Sequence, residues 1–212
     1  MTSTLRNIAL AGTVLAGLGF AAPSQAALII TPGNNPQPNQ ANVIDNPCTG
    51  AIAGPALTIQ GCLNTDSTKL VNFTALENIQ YAAGGQARIV AQDGDFSNLT
   101  ISYADGSAFT SLILNIDANA AGSVTFTGIP GGTSAPFALS ASGNNFFTIT
   151  GESFTSISFI TTVGIIGLDL VSDVAQVRIG TAVPEPASMA LFGMGLLGLG
   201  IASRRRRQDG EA

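Results

Sequence analysis

Residues 99–103 read Leu-Thr-Ile-Ser-Tyr, apolar and polar in strict alternation, and that period of two restricts what the chain can become. Successive side chains of a strand point to opposite faces, whereas a helix repeats near every 3.6 residues. The same alternation sets Leu112, Leu114 and Ile116 on one face and Asn115 and Asp117 on the other. Half-buried strands of this kind belong to antiparallel sheets with one solvated side. Further strands are expected at 28–31, 56–60, 123–127, 137–140, 146–150, 157–161 and 174–180. Asp105-Gly106, Gly131-Gly132 and the Ser-Gly-Asn-Asn of 142–145 supply turns between them.

Two stretches stay open. In 68–83, Leu70, Val71, Phe73, Leu76, Ile79 and Tyr81 fit helical and strand periods equally well. In 163–171 the run is apolar except for Asp169, which suits either a strand buried on both faces or a corner bent at Gly164 and Gly167. Short strands joined by turns leave no room for crossover helices. The expected fold for 56–182 is therefore all-β, an antiparallel β-sandwich resembling a jelly roll. Ahead of it, 27–55 reads as an irregular leader, because Pro32, Pro36 and Pro38 cannot donate to a sheet ladder.

The two ends depart from this pattern. Arg6 precedes the uncharged apolar run 8–22, which is followed by Pro23-Ser24-Gln25-Ala26-Ala27. Small residues at Ser24 and Ala26 complete a signal peptide over 1–26, cut after Ala26, with Ala27 the neighbouring alternative. At the other end Val183-Pro184-Glu185-Pro186 leads into the uncharged segment 187–203, and Arg204, Arg205, Arg206 and Arg207 follow at once. A helix over 187–203 would be roughly 25 Å long. The hydrocarbon core of a bilayer is about 30 Å thick, so counting from Val183 the segment can cross. Four unpaired arginines would cost several kcal/mol each inside a protein core, but they serve as a cytoplasmic stop. Residues 208–212 then form a short cytoplasmic tail.

The Pro-Glu-Pro signature, the apolar helix and the basic cluster together resemble the PEP-CTERM sorting signal, whose members are processed by the membrane protease exosortase. The resemblance implies a sorting signal over 183–207, made of motif, transmembrane helix and basic cluster, whose helix holds the precursor in the inner membrane. Release or transfer to the cell surface or extracellular matrix of an exopolysaccharide-producing host would follow. Its implied partner is exosortase.

Charge bears on what else the protein meets. Between 28 and 182 only Lys69, Arg88 and Arg178 are basic, against ten carboxylates. Nucleic acid binding needs clustered Lys and Arg, so it is excluded, and anionic lipid would repel the domain. A surface of Ser, Thr, Asn, Gln and Gly suits an uncharged hydrated partner such as polysaccharide. The chain has no histidine, which removes the Ser-His-Asp triad, the Cys-His pair and the imidazole proton shuttle. With Tyr81 and Tyr103 as its two tyrosines and no tryptophan, it also lacks the aromatic platforms that hold a sugar ring. No catalytic residue is assigned and no enzyme is expected. A carbohydrate-binding module, or a weak polysaccharide hydrolase using two carboxylates, is the alternative.

Two local features complete the reading. Cys48 and Cys62 are an even pair with spacing wrong for a redox C-x-x-C, and without histidine a zinc site would lack ligands, so an exported chain should bridge them. Asp93, Asp95 and Asn98 gather oxygen ligands around Gly94, a candidate calcium site that competes with ordinary Asp-Gly turn chemistry. No other cofactor is expected.

Overall fold

The computed structural model describes residues 27–82, 85–142, 144–162 and 171–181, together with Met194. The expected signal peptide 1–26, residues 163–170 and the C-terminal segment beyond 181 lie outside the described residues, Met194 apart. Every named element is a strand: β1 (Ile29–Pro32), β2 (Gln40–Ile44), β3 (Ala56–Leu63), β4 (Asp66–Tyr81), β5 (Ile89–Ala91), β6 (Asn98–Tyr103), β7 (Phe109–Ala118), β8 (Gly122–Ile129), β9 (Gly132–Thr133), β10 (Phe137–Leu139), β11 (Asn145–Phe154), β12 (Ser156–Thr162) and β13 (Val171–Gly180). All pair antiparallel, in the order β1-β11-β7-β13-β2-β3-β4-β6-β12-β8-β10, with β9 on β8. Short β5 pairs with both β13 and β4 and so ties the two halves of this path together.

The path folds over on itself. Phe126 of β8 and Phe147 of β11 lie far apart in the strand order, yet their ring centroids are 5.0 Å apart. Phe137 of β10 also reaches Phe147, at 5.8 Å, and Tyr103 of β6 meets Phe109 of β7 edge to face at 5.8 Å. Facing stretches of one sheet therefore enclose a single aromatic and aliphatic core. Val71, Phe73 and Ile79 of β4 and Leu99 and Ile101 of β6 enter it from one side; Leu112, Leu114 and Ile116 of β7 and Val174, Val177 and Ile179 of β13 enter from the other. Each fully buried side chain of this size contributes about 1.5–3 kcal/mol.

The ambiguous stretch 68–83 lies mostly in β4, because β3 and β6 flank it and supply a ladder on both edges. Its period is two: Val71, Phe73, Ala75 and Ile79 are buried, while Leu76, which a helix would have turned inward with Phe73, is 85% exposed. Tertiary pairing decides where local propensity does not.

Two expectations are corrected. The leader 27–55 is not wholly irregular, since β2 sits between β13 and β3 with Ala41 and Val43 buried beneath Gln40 and Asn42. Five residues flanked by prolines give too short an alternation to stand out in the sequence. β7 is not half-buried either: Ser111, Ile113 and Asn115 on its outer face are as buried as Leu112, Leu114 and Ile116 on its inner one. Asn115 donates to Asn144 ahead of β11, and the leader explains the rest. β1 lies beyond β11 and β2 beyond β13, so the chain between them must cross the outer face of β11, β7 and β13. There Asn35 donates its N–H to Thr148 Oγ1, Thr148 donates its hydroxyl to the Gly33 carbonyl, and Gln40 Nε2 donates to Ser111 Oγ. Arg178, opposite Ile113 in register, reaches Asn42 and Asn34. Ile113 is sealed under this strap.

Candidate functional site

The cysteine pair borders a cleft in the surface. Cys62 is buried on β3, opposite Ile44 of β2, and Cys48 lies in the loop that follows β2. Their sulfurs are 2.13 Å apart and their Cα atoms 5.5 Å, so the fold brings the expected pair to disulfide distance. Beside them a cavity of about 420 Å³ is lined by Asp45, Asn46, Cys48, Gln60 and Tyr81. Gly61 permits this packing: a Cβ there would lie 2.6 Å from the Ile44 carbonyl oxygen and 3.1 Å from the Tyr81 hydroxyl. Asp45 Oδ1 and the Tyr81 hydroxyl are buried without hydrogen-bond partners among the described residues. Burial, and after it the charge of Asp45, pushes the Tyr81 phenol far above its ordinary range.

The candidate calcium residues occupy the approach to β6. Gly94 takes φ +129°, a left-handed conformation that glycine tolerates, so Asp93-Gly94 forms a bend. Asp93 lines a small cleft with Glu77, Asn78 and Gln92. Asp95 Oδ1 accepts from Asn119 Nδ2, and Asn98 Oδ1 accepts the Leu76 N–H at 3.1 Å. The three side chains thus have different partners or surroundings. Among the described residues no group of three His, Cys, Asp or Glu side chains is placed to hold a metal ion.

The basic side chains of the domain are all engaged within it. Lys69 Nζ donates to Asp105 Oδ2 and Ser107 Oγ, each at 2.6 Å, and lies 4.4 Å above the Tyr103 ring. The Lys69 bond, helped by the Ser107 N–H and hydroxyl, holds the Asp105 carboxyl well below the usual carboxylate range. Arg88 Nη2 donates to Asp173 Oδ2 at 2.6 Å, and this bond raises the guanidinium further above its ordinary value. Asp173 is almost fully buried on β13 and directly opposite Asp117 of β7, so Arg88 offsets two carboxylates rather than one. Arg178 is held by Asn42 and Asn34. None of these pairings was read from the sequence. They join residues 36 to 144 positions apart, and the available signal was the scarcity of basic residues, each of which could be expected to be claimed by a carboxylate or an amide.

Chemically, this leaves ion pairs that hold strands together and open clefts, among them the one beside the cysteine pair. The residues expected to direct the protein, Pro184, Glu185, Pro186 and Arg204 to Arg207, lie outside the described residues, as does Ala26 at the expected signal cleavage; Ala27 precedes β1. Among the described residues no helix is long and apolar enough to cross a membrane. Residues 182–207 match the PEP-CTERM protein-sorting motif, a span that takes in Pro-Glu-Pro, the apolar run and all four arginines. No curated protein and no solved structure matches the chain. The chain carries a C-terminal sorting motif.

Proposed function

We propose that this chain is an exported protein routed through exosortase to the cell surface or extracellular matrix. There its folded-over sheet, read as a jelly-roll-like β-sandwich, acts as a structural or interaction component in contact with exopolysaccharide. The observation that carries this reading is the sorting motif at 182–207. In it the signal peptide 1–26 starts export, the helix after Pro186 holds the precursor in the inner membrane, and Arg204 to Arg207 keep the tail in the cytoplasm. Two features of the folded domain support it. Cys48 and Cys62 stand at disulfide distance, as suits an oxidising compartment. Lys69, Arg88 and Arg178 are committed inside the domain, which leaves nucleic acid and other polyanions without a cationic footprint.

Replacing Glu185 by Ala, or deleting Arg204 to Arg207, tests the routing. Full-length precursor should then accumulate in the membrane fraction of the host while wild-type protein leaves it. Equal release of both variants would refute the proposal.

A further inference from the structure

One face of the sheet carries uncharged polar side chains in continuous register. Thr58 of β3 lies opposite Thr74 of β4, Thr74 opposite Thr100 of β6, Thr100 opposite Ser158 of β12, Ser158 opposite Thr127 of β8, and Thr127 opposite Thr133 of β9. At about 4.8 Å per strand this row of hydroxyls runs roughly 24 Å across six strands. Two residues along, Gln60, Asn72, Ser102 and Ser156 form a second row in the same way. On the other side lie Asn98, Ile160 and Thr125, then Thr162 and Ser123, and exposed apolar Leu76, Ile129 (opposite Ser156) and Ile160 fringe the hydroxyl rows. Aspartate, glutamate, lysine and arginine are absent from these rows. The alternate residues of the same strands, Ile59, Phe73, Ile101 and Ile157, point into the core, so the hydroxyl rows face away from it.

Some of these groups bond to one another: Thr58 to Thr74 at 2.9 Å, Gln60 to Asn72 at 2.9 Å, Thr127 to Thr133 at 3.0 Å and Ser123 to Thr162 at 2.7 Å. A hydroxyl offers one donor and two acceptor positions, so each bonded pair keeps capacity towards solvent. Thr100 and Ser158, in the middle of the first row, make no side-chain hydrogen bond among the described residues. An apolar partner laid on this face would leave a field of hydroxyls unsatisfied, at about 1–3 kcal/mol for each one fully desolvated. A charged polymer would surrender hydration and meet no opposite charge, because the domain's three cations are bonded elsewhere. A neutral polyhydroxylated chain can exchange its water hydrogen bonds for protein ones one for one.

We propose that this face, centred on Thr100 and Ser158, binds a neutral, hydroxyl-rich polysaccharide laid across the strands. It rests on the reading of the chain as an exported surface protein and names the surface that such a protein presents to its matrix. No aromatic side chain belongs to the rows, so each sugar contact is weak and the affinity grows with the number of strands engaged.

The test uses the full chain in detergent micelles, sedimented with particles of an insoluble unsubstituted β-glucan and, in parallel, titrated with dextran sulfate. Saturable binding to the glucan and none to dextran sulfate is expected. The double variant Thr100→Val, Ser158→Ala should weaken glucan binding by about tenfold, two hydrogen bonds' worth, with an unchanged melting temperature. Gln37→Lys, on the strap across the opposite side, should bind as wild type does. Wild-type protein that ignores the glucan, binds dextran sulfate equally, or is indifferent to the double variant overturns the proposal. If such protein is still recovered at the host's cell surface, the polysaccharide face is wrong and the sorting stands; a chain that binds through this face but is never sorted fails the other way.

Discussion

Tyr103 ends β6 with its ring against Phe109 and under Lys69, while its buried hydroxyl has no partner among the described residues. Burial, and then the charge of Asp105, pushes its ionisation up to about 12. A tyrosine in an unfolded chain ionises near pH 10, so the contribution of this group is fully present below about pH 10 and is lost as pH rises towards 12. Tyr81 is displaced in the same direction. The melting temperature should therefore fall across that window. Tyr103→Phe, which removes an unsatisfied buried hydroxyl, should leave stability at pH 7 unchanged or raise it by about 1 kcal/mol, and flatten the alkaline fall. Circular dichroism melts from pH 8 to 12 check both points, and a Phe variant that melts well below wild type at pH 7 would reveal a hydroxyl partner. Asp105 works in the opposite sense: its depressed carboxyl stabilises the fold above about pH 4 and the benefit fades on acidification, but its exposure limits the effect. Arg88 matters more. Its loss strands buried Asp173 opposite Asp117, but the guanidinium is itself 56% exposed and screened by water, so Arg88→Ala should cost about 1–2 kcal/mol in urea denaturation, more than a fully exposed ion pair. A cost below half a kcal/mol would show that water reaches Asp173.

At the scale of elements, the strap 33–39 covers an outer face of the sheet, as helices do in α/β folds, and the Cys48–Cys62 pair ties the loop after β2 to β3. A bridge between Cys48 and Cys62 closes a loop of about 15 residues, and reduction should cost roughly 3 kcal/mol through the freed unfolded chain. Urea midpoints with and without reductant measure it, and coincident midpoints would contradict it. Strands whose outer face stays wet were legible in the sequence, since β6, β8 and β12 alternate where the pattern placed them; β11 was placed as well, but its outer-facing Thr148 is buried under the strap. β7 misled for a physical reason: polar Ser111 is covered by a segment some seventy residues earlier and buried Asn115 bonds to Asn144, 29 residues later, and no local period reports either. β4 could not be settled from its own residues because the deciding contacts are its neighbours' ladders. β5 has three residues, too few for any period. The cysteine pairing was legible because spacing and compartment suffice for it, whereas Arg88 with Asp173 required the sheet that unites them.

Taken whole, the molecule separates address from body. The folded domain spends its few cations internally and presents a neutral hydroxylated face, while the sorting motif sits in residues 182–207. This division makes the fate of the C-terminal segment the decisive quantity. The intact mass of the protein recovered from the surface or medium of its host measures that fate. The expected species begins at Ala27, keeps the domain through about residue 182 and lacks the apolar segment 187–203 with its four arginines. A recovered mass that still contains residues 187–207 would contradict exosortase processing and make the protein a membrane-anchored ectodomain.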